Sequence, residues 1–294
     1  MRRIRLVITA SIIFVVIIEV CLRTAAFFCS RQLVTQKNID NYIYCFGDSY
    51  TYGIGSENKK GYPEQLQELY EKRYPNKNIK IINFGVPGSN SKQTLNYFRH
   101  ILTRYPRPDL VILMTGMNDW WNISDNNKVL LYSKINPFIV KYCMVLTHSK
   151  IVKLLIMCFA KNTTIGTVDF NSQVRVADPD GFGEQERLGS NYLSTVRVVF
   201  EENVNEFVNL ARNSGIRIIF SQYPSGFIFD DSLEYISRKQ KIIIIYTNFK
   251  KFISQDQPHE YFSAEYSYSH PNTKGYAKMA EEILTTLIKE KQIP

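Results

Sequence analysis

The chain has 294 residues, 45% of them hydrophobic and 21% charged, a composition typical of a globular protein with one sizeable core. Its formal net charge of +9 comes from lysines and arginines that are scattered along the chain and interleaved with acidic residues. No nucleic-acid-binding signature accompanies them, so no nucleic acid partner is predicted. The five cysteines show no C-x-x-C pair and no metal-ligand spacing, and neither a metal nor a cofactor is predicted.

The N-terminus carries an apolar run from Leu6 to Val20, which follows three arginines and is extended by apolar residues to Phe28. The run is long enough to cross a bilayer. No small-x-small cleavage site closes it, which favours an uncleaved membrane anchor at residues 1–28 over a cleaved signal peptide. A short basic tail usually stays in the cytoplasm, so the remainder of the chain is expected outside it, after a polar tether at residues 29–41.

A β-rich apolar run from Tyr42 to Phe46 predicts the first strand, which breaks abruptly at Gly47-Asp48-Ser49. Ser49 would open the following helix, where backbone N–H groups are free to bind an anion. In an open parallel sheet the carboxyl ends of the strands are where ligands bind. The structural alternative is that Ser49 only caps a helix, with Asp48 stabilising the turn.

Two further apolar runs end in small or amide residues, one leading from Ile79 to Gly88 and the other from Leu110 to Asp119. Helical spacing predicts helices between these strands, over residues 62–74 and 92–103. Because parallel strands end at one edge of a sheet, Ser49, Gly88 and Asn118 are expected to share a site, to which His270 could be added from near the C-terminus.

The remainder of the chain alternates between helical and strand patterns, except at residues 120–190, which we interpret as an inserted cap or lid-like region or an ordinary pair of packing helices. The alternation predicts an α/β fold for residues 42–294: a three-layer α/β/α sandwich with a mainly parallel, five-stranded, flavodoxin-like sheet. The predicted elements are a helix over 192–214, strands over 216–221 and 242–246, and a helix over 274–289.

Four ordered blocks of this sequence resemble those of the SGNH/GDSL hydrolase superfamily. The resemblance implies a serine esterase with Ser49 as nucleophile and His270 as base, in which the Ser49 and Gly88 N–H groups and the Asn118 side chain form the oxyanion hole. Asp48 would support the turn that carries Ser49. The matching blocks are Gly47-Asp-Ser-Tyr-Thr-Tyr-Gly53, Asn83 to Gly88, Gly116-Met-Asn-Asp119, and His270-Pro-Asn272 with Gly275-Tyr276.

The sequence departs from the family at the acid of the triad. The family usually places an aspartate three residues before its histidine, and here that position is Ser267. Three alternatives stay open: Glu265 or another carboxylate reaches the imidazole, a backbone carbonyl or Ser267 orients it, or the protein is a weak or inactive relative. In a serine protease, loss of the triad acid lowers kcat about ten-thousand-fold, so the identity of this group bears directly on activity.

The expected function is that of a membrane-tethered serine esterase hydrolysing O-esters. We expect the substrate to be an acylated small molecule or saccharide, with small acyl groups such as acetyl on cell-envelope saccharides favoured by the family and the anchor. The alternatives are a saccharide O-acyltransferase, a lipid esterase or lysophospholipase, and a catalytically weak saccharide-binding relative.

Overall fold

The computed structural model describes residues 41–122, 125, 190–247, 260–266 and 269–293, together with part of the stretch 14–24. The expected anchor and tether and the expected insertion at 120–190 therefore lie almost entirely outside the described residues, and so does Ser267. Within the part of the chain that is described, no helix is both long enough and apolar enough to span a bilayer.

Five parallel strands form a single sheet in the order β2-β1-β3-β4-β5, which confirms the predicted fold class. Because β1 pairs with β2 on one side and with β3 on the other, the strand order reverses around β1, where ligands bind in open α/β sheets. The strands are Asn41–Gly47 (β1), Ile79–Gly85 (β2), Leu110–Met114 (β3), Arg217–Ser221 (β4) and Ile243–Ile245 (β5).

The helices that connect and follow the strands lie close to the predicted ranges, with one addition. They are Ser49–Tyr52 (α1), Tyr62–Arg73 (α2), Ser91–Leu102 (α3), Ser190–Asn213 (α4), Asp230–Gln240 (α5) and Thr273–Lys289 (α6). The addition is α5, which was not predicted from the sequence. Its acidic first turn and basic last turn suit the helix dipole, and Leu233 and Ile236 are its buried face.

The two faces of the sheet are covered by different helices, which gives the three predicted layers. In β1, Ile43 and Cys45 pack in the cluster formed with α2 and α6, whereas Tyr44 and Phe46 pack in the cluster formed with α3, α4 and α5. A strand buried on both faces needs apolar residues at consecutive positions, which explains why β1 reads as an unbroken apolar run.

Phe46 is the aromatic centre of the second cluster. Its ring stacks on Phe84 with centroids 5.1 Å apart, and meets the edges of Phe98 at 5.1 Å and Phe207 at 5.9 Å. Phe98 and Phe207 stack on each other at 4.2 Å, which joins α3 to α4. The strand that leads to Ser49 is thus clamped by rings from its neighbouring strand and two helices.

The aromatic clamp predicts that Phe46→Ala will lower the free energy of unfolding by about 3–5 kcal/mol, because the buried ring leaves a cavity. Urea denaturation followed by circular dichroism measures this. The matched control is Tyr235→Ala, which removes a ring that is 55% exposed on α5 and should change stability little. Equal effects of the two substitutions would contradict the role of Phe46 as the centre of the cluster.

Candidate active site

Ser49 is the first residue of α1, directly after the end of β1. Asp48 is the N-cap of this short helix and accepts a hydrogen bond from the Tyr50 N–H at 3.0 Å. Only glycine fits at position 47, because a Cβ there would lie 2.2 Å from Thr51 Oγ1 and 2.3 Å from the Met114 carbonyl oxygen. The chain can therefore turn tightly enough to place the serine hydroxyl at the sheet edge.

The structure brings Ser49 and His270 together, with 2.8 Å between Ser49 Oγ and His270 Nε2. His270 lies just before α6 in a segment tied to residues 261–263. The Ser263 N–H donates to the His270 carbonyl at 2.8 Å, and Phe262 and Pro271 form an antiparallel bridge. The histidine is thus supported by its own short pairing rather than by the parallel sheet.

Aromatic rings border the His270 imidazole on two sides. Tyr50 stacks on it with ring centroids 4.8 Å apart, and Tyr266 meets it edge-on at 5.7 Å. The Tyr50 hydroxyl also donates to the Ser269 carbonyl at 2.5 Å, which ties the histidine segment to α1. Burial in these surroundings disfavours the charged form and lowers the pKa of His270 from 6.5 to about 4.

Among the described residues, the group at the other nitrogen of the imidazole is a hydroxyl. Ser269 Oγ lies 3.0 Å from His270 Nδ1 and 2.6 Å from the Tyr266 carbonyl oxygen. The structure does not bring Glu265 to the ring: its side chain is exposed on the 3₁₀ turn Ala264–Tyr266, and no hydrogen bond joins it to His270. Ser269 was not predicted from the sequence, because the family pattern directs attention to a carboxylate.

Gly88 and Ser49 offer backbone N–H groups at this edge. Gly88 has a φ of +73°, a conformation that favours glycine, in the loop that follows β2. Within the described part of the chain, neither the Ser49 N–H nor the Gly88 N–H donates to a protein group. Both N–H groups are therefore available to bind an anion.

Asn118 lies between these groups, and its amide is oriented by Trp121. The indole N–H donates to Asn118 Oδ1 at 3.0 Å, so Nδ2 is the atom that points inward. Nδ2 donates to the Ser89 carbonyl at 3.0 Å and, over a longer distance of 3.3 Å, to Asp48 Oδ2. The amide nitrogen therefore already donates two hydrogen bonds to protein groups at the site.

Asp48 does more than stabilise the turn. It is fully buried, and its Oδ2 accepts a 2.7 Å hydrogen bond from the Tyr223 hydroxyl in addition to the bond from Asn118. Burial raises the pKa of Asp48 to about 7. Tyr223 follows β4, and its place in the site was not predicted from the sequence.

A second buried carboxylate, Asp119, holds the first residue of α3, Ser91, near the same edge of the sheet. It accepts hydrogen bonds from the backbone N–H of Ser91, at 2.7 Å, and from the Ser91 hydroxyl, to which Asn203 donates at 2.9 Å. Burial raises the pKa of Asp119 to about 7. Among the described residues, no cluster of histidine, cysteine, aspartate and glutamate could hold a metal ion.

Similar proteins share this fold. The chain superposes on the psychrotrophic esterase EstA from Pseudoalteromonas sp. with a TM-score of 0.51 at 14% identity, covering 86% of this chain and 100% of that one. A catalytic mutant of Axe2, an acetylxylan esterase from Geobacillus stearothermophilus, also gives 0.51 at 14% identity, with coverages of 85% and 95%.

A sequence relative is an uncharacterized protein of Mycoplasma pneumoniae (strain ATCC 29342 / M129 / Subtype 1), 23% identical over 212 residues. The match covers 70% of this chain but only 23% of that protein, so the chain spans less than a quarter of this relative's length. The model of the GDSL-like lipase/acylhydrolase family matches residues 45–278, a range that includes Ser49, Gly88, Asn118 and His270. The chain therefore belongs to the GDSL-like lipase/acylhydrolase family, a family of ester-hydrolysing enzymes.

Proposed function

We propose that this protein is a serine esterase that hydrolyses small O-acyl esters. The observation that carries the proposal is the 2.8 Å contact between Ser49 Oγ and His270 Nε2. A hydroxyl within hydrogen-bond reach of an imidazole, beside N–H groups that are free to bind an anion, is the arrangement that nucleophilic acyl transfer requires. Membership of the family supports the same chemistry.

The reaction follows from the positions of these groups. Ser49 Oγ attacks the ester carbonyl carbon while His270 Nε2 takes the hydroxyl proton. The tetrahedral intermediate collapses, His270 returns the proton to the leaving alcohol oxygen, and the acyl group remains on Ser49. Water, deprotonated by the same nitrogen, then attacks the acyl carbon. The bond to Ser49 Oγ breaks, the acid leaves, and His270 returns the proton to Ser49 Oγ, which restores the free enzyme.

The oxyanion of the intermediate would be held by the N–H groups of Ser49 and Gly88. We assign Asn118 Nδ2 as the third donor. Of its two acceptors, Asp48 is the more distant at 3.3 Å, so this is the bond that the amide would exchange for one to the oxyanion. Asp48 would keep its hydrogen bonds from Tyr223 and Tyr50 during the exchange.

We propose an acetyl or similarly small acyl group on a saccharide of the cell envelope as the substrate. An indole ring borders Gly88: Trp121 is 47% exposed, and its ring would lie 3.7 Å from a Cβ at Gly88. A partly exposed aromatic ring suits packing against a sugar ring or a short acyl chain. Axe2, whose fold is similar, is an acetylxylan esterase. Hydrolysis that rises with acyl chain length would instead point to a lipid ester.

We also propose that residues 1–28 anchor the enzyme in a membrane and that the catalytic domain lies outside the cytoplasm. The support is in the sequence, where three arginines precede a long apolar run. This placement would bring Ser49 to envelope saccharides. Labelling of intact cells by a membrane-impermeant fluorophosphonate tests it, and labelling that requires lysis would exclude it.

Replacement of the nucleophile tests the proposed activity directly. Ser49→Ala should abolish covalent labelling by a fluorophosphonate and reduce 4-nitrophenyl acetate hydrolysis at least about a thousandfold, because the acyl-enzyme forms on this hydroxyl. The control is Ser237→Ala, whose hydroxyl donates to the Ile242 carbonyl just after the end of α5. Labelling of Ser49→Ala at the wild-type level would exclude Ser49 as nucleophile.

The pH dependence of kcat/KM should show an acid limb near pH 4. The base must be neutral to accept a proton, and burial lowers the pKa of His270 to about 4, so activity is lost only as the pH falls through that value. Release of acetate, followed between pH 3.5 and 8, measures the profile. Asp48 and Asp119 also have pKa values raised to about 7, so a limb near pH 7 that persists in both Asp48→Asn and Asp119→Asn would contradict the lowered pKa of His270.

Glu265→Gln should change kcat by less than about threefold, which is under 1 kcal/mol. The reason is that its exposed carboxylate makes no hydrogen bond to His270, whose Nδ1 contacts Ser269 instead. Steady-state hydrolysis of 4-nitrophenyl acetate measures it, with wild type as the reference. A loss of a thousandfold or more would restore Glu265 as the acid.

A further inference from the structure

The hydroxyl of Ser269 has two neighbours that together determine where its proton lies. It is 2.6 Å from the Tyr266 carbonyl oxygen and 3.0 Å from His270 Nδ1. A carbonyl oxygen can only accept, so the single hydroxyl proton must be donated to Tyr266 for that short bond to form. Ser269 Oγ is then left as an acceptor on the side of the imidazole.

This arrangement selects one tautomer of His270. Because Ser269 Oγ accepts, Nδ1 must carry the ring proton, and Nε2 then presents its lone pair to Ser49 Oγ at 2.8 Å. The hydrogen bonds run in one direction, from the Ser49 hydroxyl through the ring to Ser269 and on to the Tyr266 carbonyl. The opposite tautomer would turn Nε2 into a donor and leave Ser49 without a base.

We propose that Ser269 is the positioning residue that holds His270 in its catalytic tautomer and orientation. It would fill, at Nδ1, the role that a carboxylate usually has in family members. The consequence for turnover rests on the esterase function proposed above, whereas the tautomer of the resting protein does not. Ser269 Oγ contacts His270 at Nδ1, away from the reacting nitrogen Nε2, and would act only through the imidazole.

The main chain around Ser269 supports this role. Its N–H donates to the Tyr266 carbonyl at 2.9 Å, and its own carbonyl accepts from the Tyr50 hydroxyl at 2.5 Å. The Tyr50 ring also stacks on the imidazole. The residue is therefore tied on both sides of its backbone, so that its hydroxyl stays at Nδ1 at little entropic cost.

A neutral acceptor differs from a carboxylate in what it can do for the charged ring. It orients the imidazole, but it adds no negative charge to stabilise the imidazolium that forms when Ser49 loses its proton. The stacked face of Tyr50 offers a weaker electrostatic substitute through its ring quadrupole. Among the described residues, the side chains that contact the His270 ring are those of Tyr50, Tyr266, Ser49 and Ser269, and none of them is a carboxylate.

The test begins with ¹⁵N-histidine NMR on the full-length protein near pH 7, where the ring nitrogen shifts report which atom carries the proton. The chain has four histidines, so the His270 signals are assigned by their loss in His270→Gln. Wild type should show a protonated Nδ1 and a bare Nε2. Ser269→Ala should lose this preference, Ser269→Thr should retain it, and the distant control Ser237→Ala should leave it unchanged.

Kinetics of the same variants provide the second readout. Ser269→Ala should lower kcat about tenfold with KM nearly unchanged, which is what the loss of one hydrogen bond to the base would cost. Ser269→Thr, which keeps the hydroxyl, should restore kcat to within about threefold of wild type. Ser237→Ala removes a hydroxyl-to-carbonyl bond of the same 2.6 Å length without touching the imidazole, and it should leave kcat unaltered.

Two results would overturn the positioning role of Ser269: a wild-type protein with the proton on Nε2, or a Ser269→Ala variant whose tautomer and kcat both equal those of wild type. In the second case a wild type that hydrolyses esters would still support the esterase function. If wild type proves not to hydrolyse esters but its tautomer still responds to Ser269→Ala, the esterase proposal fails while the positioning role of Ser269 stands.

Discussion

The site depends on one buried carboxylate, that of Asp48. Three donors converge on it: the Tyr50 N–H at 3.0 Å, the Tyr223 hydroxyl at 2.7 Å and the Asn118 amide at 3.3 Å. These donors belong to the segments that follow β1, β4 and β3, so a single side chain ties three strand ends together. A buried carboxylate without such partners would be strongly destabilising. Because buried Asp48 needs these three hydrogen bonds, it holds the ends of the three strands in one arrangement.

The two halves of the site differ in their electrostatics. The serine side is built on buried acids, because Asp48 holds the turn and Asp119 holds the N-terminus of α3 through Ser91. The histidine side is built on neutral groups, the rings of Tyr50 and Tyr266 and the hydroxyl of Ser269. A neutral cage disfavours the imidazolium, so the resting base is uncharged and available, but it has less support once it accepts a proton.

The parts of the structure that follow from local pattern could be predicted from the sequence. An apolar run closed by Gly47-Asp48-Ser49 predicts both the strand and the position of the hydroxyl. That His270 joins Ser49 was expected from the family resemblance, because its segment is held by a separate short pairing and not by the sheet. Ser269 could not be found this way, since a serine next to a histidine carries no signal until the loop brings the Tyr266 carbonyl beside it. Tyr223 reaches Asp48 only through the packing of β4. The α5 helix could have been predicted, because its charge pattern is visible in the sequence.

The contact between Ser49 and His270 joins residues 221 positions apart, one from the end of the first strand and one from the start of the last helix. Pairing at such a separation closes a very long loop, so we expect it to form after the intervening sheet has brought the two ends together. The site should then be among the last features that a folding chain completes. The rate at which Ser49 becomes reactive towards a fluorophosphonate during refolding would then report when the native topology forms. A collapsed intermediate with correct helices but an undocked C-terminus would leave the serine unreactive.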